Sequence, residues 1–122
     1  MTIKQLCKIS HKTAVEKGFW GEVGRNCGTN SAIYKNNGLT RNLSELLMLI
    51  VSELGEACEA LRKGNRQVLK KQWKKDTFED ELADAMIRIG DLADSEGIDL
   101  EWQIKKKLEY NKSRPYKHGK KF

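Results

Sequence analysis

Apolar residues recur along this chain every three to four positions and never alternate over any length, so the pattern predicts helices and no strands. Ile3, Leu6, Cys7 and Ala14 fall on one side of a first helix from about Ile3 to Glu16, with Gly18 as its stop. Residues 18–42 then hold five of the ten glycines, with Phe19, Trp20 and Tyr34 among them. This is loop composition, and a loop of that length in a small domain is more often functional than idle. A second helix is expected from Leu43 to about Lys63, opened by Asn42 and Glu45 as a capping box and closed by Gly64. At 100° per residue its apolar arc comprises Leu43, Leu46, Leu47, Ile50, Leu54, Ala57, Cys58 and Leu61.

A basic connector, RKGNRQVLKKQWKK, carries Trp73 to a third helix. That helix is expected to begin near Thr77, with Asp76 as cap and Glu79 at the capping-box position, and to reach about Ser95 before Gly97. Its apolar arc is Leu82, Ala85, Met86, Ile89, Leu92 and Ala93. A fourth helix follows from an Asp99 cap through Trp102, Ile104 and Leu108 to about Asn111, and the only proline, Pro115, fits a stop after it. The expected architecture is all-α: three long helices, a shorter leading one and a basic tail. With 122 residues the chain has the length of one domain, spanning 1–122.

The apolar arcs carry an anomaly. Glu53 and Glu56 stand at the border of the second helix's arc, whereas Glu59 lies further round with Ser52 and Lys63. On the third helix Glu81 and Asp84 repeat the three-residue spacing, and Arg88 and Asp91 continue the same stripe. The whole reads E-x-x-E, 24 residues, E-x-x-D. If the two helices pack antiparallel, the pairs converge, and half-buried carboxylates that repel one another cost several kcal/mol, roughly, unless something compensates them. A divalent cation is the compensation that fits, and oxygen-only donors favour Mg²⁺ or Mn²⁺ over Zn²⁺ or Cu²⁺. A di-iron bundle needs Glu-x-x-His pairs, and the two histidines, His11 and His118, are not so placed.

Charge changes the picture once it is located. The net +6 resides in residues 105–122, where eight basic residues face one acid, leaving 15 basic against 16 acidic groups in residues 1–104. Such a segment suits an anionic partner: the phosphates of a small molecule, a nucleic acid or a membrane surface. Hydrophobic residues at 39 % and charged ones at 33 %, with no apolar run of about 18 residues and no signal-peptide core, fit a soluble and cytoplasmic protein with no membrane partner. Cys7, Cys27 and Cys58 lack CxxC spacing and are expected as free thiols, Cys58 within the core.

Taken together, GFW at Gly18, LMLIVSELGEACEALRKG, FEDELADAMIRIGDLA and KLEYNKSRPYKHGKKF resemble the MazG-like all-α nucleoside triphosphate pyrophosphohydrolases, a family that includes dimeric dUTPases and dCTP pyrophosphatases. The likeness covers most of the chain. It implies a four-helix bundle-like fold completed by oligomerisation, as a homodimer or a dimer of dimers, with sites near the subunit interface. It also implies Mg²⁺-dependent cleavage of a nucleoside triphosphate, a deoxynucleotide by expectation, between the α and β phosphates. By the same resemblance Glu53, Glu56, Glu81 and Asp84 are the metal ligands, with Glu56 and then Glu53 the choices for a general base.

Lys107, Asn111 and Arg114 share one face at i, i+4, i+7, and the resemblance makes them nucleotide contacts, joined by His118 and Lys120. Lys105, Lys106 and Lys121 read as solvated charges. Trp20 is the aromatic expected to stack on the base, Phe19 and Trp102 are expected in the core, and Trp73 covers the site or packs on a partner subunit. One departure is Arg88, where the family often has an aromatic; its guanidinium is expected to meet the substrate or to pair with Glu81 or Asp84. A nucleic-acid-binding module is the competing reading, weakened by acidic stripes that repel a polyanion and by the lack of a helix-turn-helix or RNA-binding signature. An inactive scaffold of the same fold is a further one, against which stands the presence of all four expected ligands.

Overall fold

A computed structural model describes residues 1–21 and 41–121. Most of the glycine-rich segment, with Cys27 and Tyr34, therefore lies outside the described residues. Among those described, the chain is helical and holds no strand: α1 (Ile3–Glu16), α2 (Leu43–Arg62), α3 (Phe78–Ser95), α4 (Leu100–Ser113) and a short 3₁₀ turn at Tyr116–Gly119.

Local chemistry sets these limits. Thr2 opens α1 with a reciprocal capping box to Gln5, and the Asn42 side chain accepts the Ser44 and Glu45 amides at the start of α2. α1, α2 and α3 all end at a glycine with positive φ, Gly18 at 86°, Gly64 at 67° and Gly97 at 68°. In each case the next residue's N–H donates back to a carbonyl of the last turn, as Phe19 does to Ala14 and Asn65 to Ala60. The cap of α3 differs from expectation. Asp76 has φ of 60°, a left-handed conformation unsuited to an N-cap, so Thr77 takes the role and its hydroxyl accepts the Asp80 amide.

Glu79 is thereby released from capping. It binds the connector instead, accepting from Arg66 Nε at 2.7 Å and from the Gln67 amide at 2.8 Å. Asp80 does likewise, accepting from the Asp76 amide and from Trp73 Nε1 at 3.2 Å.

α3 is the central helix, packed by α1 on one side and α2 on the other, while α4 touches α1 only lightly. Both contacts are antiparallel: Cys7 and Ser10 face Gly90, and Glu53 meets Arg88 while Glu56 meets Glu81. The α1–α3 approach needs Gly90, where a Cβ would lie 3.1 Å from Ser10 Oγ and 3.3 Å from the Cys7 Cα. Val15, Trp20 and Leu46 form the buried apolar cluster, with Ala14, Leu49 and Leu92 against it.

The buried faces differ from the predicted arcs. α2 buries Leu46, Glu53, Ala57 and Ala60. Leu47, Leu54 and Leu61 remain 53 %, 49 % and 46 % exposed, and Cys58 is exposed instead of buried. On α3, Leu82, Met86 and Ile87 are likewise exposed, and α4 buries no residue, so Trp102 is half exposed and not core. The aromatic pair before the loop is also exchanged: Trp20 is buried, and Phe19 is 65 % exposed.

Candidate metal centre

The antiparallel α2–α3 pair brings three of the four expected carboxylates together. One oxygen each from Glu53, Glu81 and Asp84 lies within 4.8 Å of the others. Glu53 and Glu81 are among the buried charged residues of the chain, at 7 % and 5 % exposure, and Asp84 is partly exposed. Glu56 is exposed and stands outside this trio, one turn along α2. Its side chain meets Glu81, and both line a second cavity of about 320 Å³ with Lys63, Asn65 and Asp76. Glu59 points to solvent between Arg62 and Lys63, as its helical angle implied.

Electrostatics marks Glu81 as the strained member. Burial, then the hydrogen bond and negative charge of Glu56, then Asp84 and Glu53 push its carboxyl up to about 7. Its Oε2 is buried and has no hydrogen-bond partner. A buried carboxylate oxygen without a donor is costly. Burial also raises Asp84, helped by the charges of Asp80 and Glu53 and opposed by Arg88. Only oxygen donors converge here, so the set suits a hard divalent cation such as Mg²⁺ or Mn²⁺.

Arg88 is part of this centre in a way the spacing did not reveal. Its Nε donates to Glu53 Oε1, not to Glu81 or Asp84. The two residues also line a cavity of about 260 Å³ with Asp84, Lys17, Arg41 and Phe19. Asp91, one turn beyond Arg88, closes the inner wall. Its Oδ1 lies 2.7 Å from His11 Nδ1 and accepts the Trp20 indole N–H at 3.0 Å, while the His11 and Trp20 rings meet edge to face at 5.1 Å.

The expected stacking role of Trp20 does not fit this placement, since its ring lies in the core and its N–H is committed to Asp91; Arg41 covers it at 5.2 Å. Phe19 is the aromatic at the cavity. His11 is wholly buried, and its i+4 relation to Cys7 is the sequence signal that puts it on the buried side of α1. Lys17 and Arg41 had no signal beyond their charge.

The tail lies apart from these cavities. None of Lys107, Asn111, Arg114, His118 and Lys120 lines the wall of either one. Lys107 and Arg114 instead lie over the ring of Tyr110, at 4.9 and 5.6 Å from its centre. Asn111 Oδ1 is buried with no partner, and His118 sits exposed at φ 54° in the 3₁₀ turn. Of the neighbouring anchor, Trp73 is 70 % exposed and tied to Asp80, on the connector and not over the trio. No helix among the described residues is long and apolar enough to cross a membrane. No protein-family model, no curated protein and no solved structure matches this chain.

Proposed function

We propose that this chain is a Mg²⁺-dependent nucleoside triphosphate pyrophosphohydrolase acting between the α and β phosphates. The observation that carries the reading is the Glu53–Glu81–Asp84 trio with the buried, unpartnered Glu81 Oε2. The adjoining cavity supports it, because Lys17, Arg41 and Arg88 give it positive charge beside an acidic metal centre. The likeness of both acidic blocks to the MazG-like family supports it independently.

Glu53, Glu81 and Asp84 would hold the ion. When bound, it supplies charge neutralisation for the phosphates and lowers the pKa of an attacking water. Glu56, exposed beside the trio, would act as the base that takes a proton from the attacking water. The α–β bridging oxygen then departs with pyrophosphate. Lys17 and Arg41 hold the anionic end of the substrate, and Phe19 offers an exposed ring to its base or sugar.

The reading includes a homodimer, or a dimer of dimers. Leu43, Leu47, Leu54 and Leu61 on α2 and Leu82 and Met86 on α3 are exposed large apolar side chains, the kind of surface that a partner covers. A second copy covers it and completes the bundle, and brings a second basic tail toward the centre, giving Lys107, Asn111 and Arg114 a substrate role that one chain alone does not provide.

The test is pyrophosphate release from a panel of ribo- and deoxynucleoside triphosphates, with Mg²⁺ and with chelator. Glu53→Gln and Glu81→Gln are each expected to reduce turnover at least about a hundredfold with unchanged helicity by circular dichroism. Wild-type rates in both variants, or activity in chelator, would overturn the proposal.

A further inference from the structure

Three carboxylates with oxygens within 4.8 Å of one another favour a nearby positive charge even when no ion is bound, and the fold supplies one from the neighbouring turn of α3. Arg88 is i+4 from Asp84, so its stem rises on the same face, and its guanidinium spans the helix pair to Glu53. Glu53 is 91 % or more buried as a side chain, whereas the arginine is 41 % exposed, so the ion pair has one fixed member and one that can leave. The oxygen that Arg88 occupies belongs to the residue whose other neighbours are Glu81 and Asp84. Glu81 Oε2, buried and unpartnered, points to a ligand at this centre that the guanidinium does not itself satisfy.

We infer that Arg88 is the stand-in cation of the metal-free centre and that the metal displaces it. Resting on the metal-centre reading above, this makes Arg88 a residue with two positions. In the first it neutralises Glu53. In the second its guanidinium, freed from Glu53, offers its whole charge and all its donors to the 260 Å³ cavity that it already lines with Lys17 and Arg41. There it joins them as a third cation for the phosphates of a nucleoside triphosphate, with the planar fork that suits phosphate oxygens. Metal loading thereby raises the affinity of the cavity for its anion, and empty protein holds the substrate poorly. The coupling follows from charge: a guanidinium neutralised by the buried Glu53 carboxylate attracts an anion in the cavity less than one released from it.

The experiment pairs two titrations on wild type, Arg88→Gln and Arg88→Lys. Mn²⁺ binding is followed by electron paramagnetic resonance without nucleotide, and a non-hydrolysable α,β-imido deoxynucleoside triphosphate is then titrated into Mn²⁺-saturated protein. Arg88→Gln is expected to bind Mn²⁺ about tenfold more tightly, since no competitor remains, and the analogue about tenfold more weakly. Arg88→Lys lies between on both scales. A general loss of structure moves both affinities down together, which distinguishes it from the predicted opposition of signs. If wild type binds no Mn²⁺, the metal-centre reading itself fails. If wild type binds Mn²⁺ and Arg88→Gln binds it no more tightly, the stand-in role is wrong; tighter Mn²⁺ with unchanged analogue affinity overturns the second position.

Discussion

The two faces of the α2–α3 pair are reversed from what a lone globular chain shows. The face turned into the chain contains Glu53 and Glu81, buried among alanines, and the face turned outward contains Leu47, Leu54, Leu61, Leu82 and Met86. Hydrophobic transfer favours the opposite arrangement at roughly 25 cal/mol per Å² of apolar area. The inner face is therefore organised around charge, for which we propose a metal ion, and the outer face around apolar area, for which we propose a second copy. Each face is a different kind of incompleteness, and each is open to a separate experiment.

The largest effect is expected on the outer face. Leu54 stands near the middle of the exposed α2 stripe, and Leu54→Glu places a charge where a second copy would bury a leucine. Sedimentation is expected to show the wild type at a multiple of 14.0 kDa and the variant shifted to the single-chain mass. A change of 3 kcal/mol or more, roughly, in association is the scale for a buried hot-spot side chain replaced by an unpaired carboxylate. A wild type that sediments at the single-chain mass with full activity would remove the outer face from the account.

Next in size is the α1–α3 contact that backs the inner face. Gly90→Val adds a side chain at a position where even a Cβ meets Ser10 Oγ and the Cys7 backbone, so α1 must move away. A loss of about 1–3 kcal/mol in denaturant unfolding is expected. Because His11 on α1 orients Asp91 at the cavity wall, activity should fall with stability. Gly90→Ala, smaller by two methyls, should fall between, and equal stability of all three proteins would show the contact to be slack.

The element limits were legible because they are written in local chemistry: Asn42 and Asp99 as caps, and Gly18, Gly64 and Gly97 as stops. The one exchanged cap, Thr77 for Asp76, turned on a backbone angle that two adjacent good caps do not reveal. The pairing of the acidic blocks was legible too, since antiparallel packing of the two helices that carry them brings the blocks level. What each helix buries was not. A wheel orders residues around an axis, but the direction in which a neighbour lies is settled by contacts such as Gly90 against Ser10, far apart in sequence. The same holds for Arg88: its spacing from Asp84 was visible, whereas its choice of Glu53 across the helix pair depends on register. Trp20 and Phe19 exchanged places because the indole N–H finds Asp91 in the core, a partner 71 residues away that loop composition does not reveal.

The inner face also predicts a pH signature. Glu81 is held up to about 7, above an unfolded value near 4.5, so the folded metal-free protein keeps a proton that the unfolded chain releases. The sign follows: between about pH 4.5 and pH 7 the unfolded chain binds fewer protons, and stability falls as pH rises through that window. A bound cation favours the ionised carboxylate and reverses the trend. Thermal unfolding in chelator is expected to lose midpoint temperature from about pH 5 to pH 7.5, and the gain on adding Mg²⁺ to be larger at the higher pH. Glu81→Gln removes the slope, so an unchanged slope in that variant would assign it to another group.

The smallest effect contrasts thiols on the two kinds of surface. Cys7 is buried against α3, and burial, with Asp94 nearby, raises its pKa. Cys58 is exposed in the single chain, on the same side of α2 as Leu54 and Leu61. The thiolate is the reactive form, so Cys7 should alkylate slowly at pH 8 under native conditions whatever the assembly state. Cys58 tests the comparison directly. In Leu54→Glu protein it should react with iodoacetamide at the rate of a free thiol, and in wild type several-fold more slowly, because the second copy that covers the leucines covers it as well. Mass spectrometry of peptides containing each cysteine separates both from Cys27. Equal Cys58 rates in the two proteins, with Cys7 protected in both, would mean that the outer apolar face stays open in solution while the inner one holds.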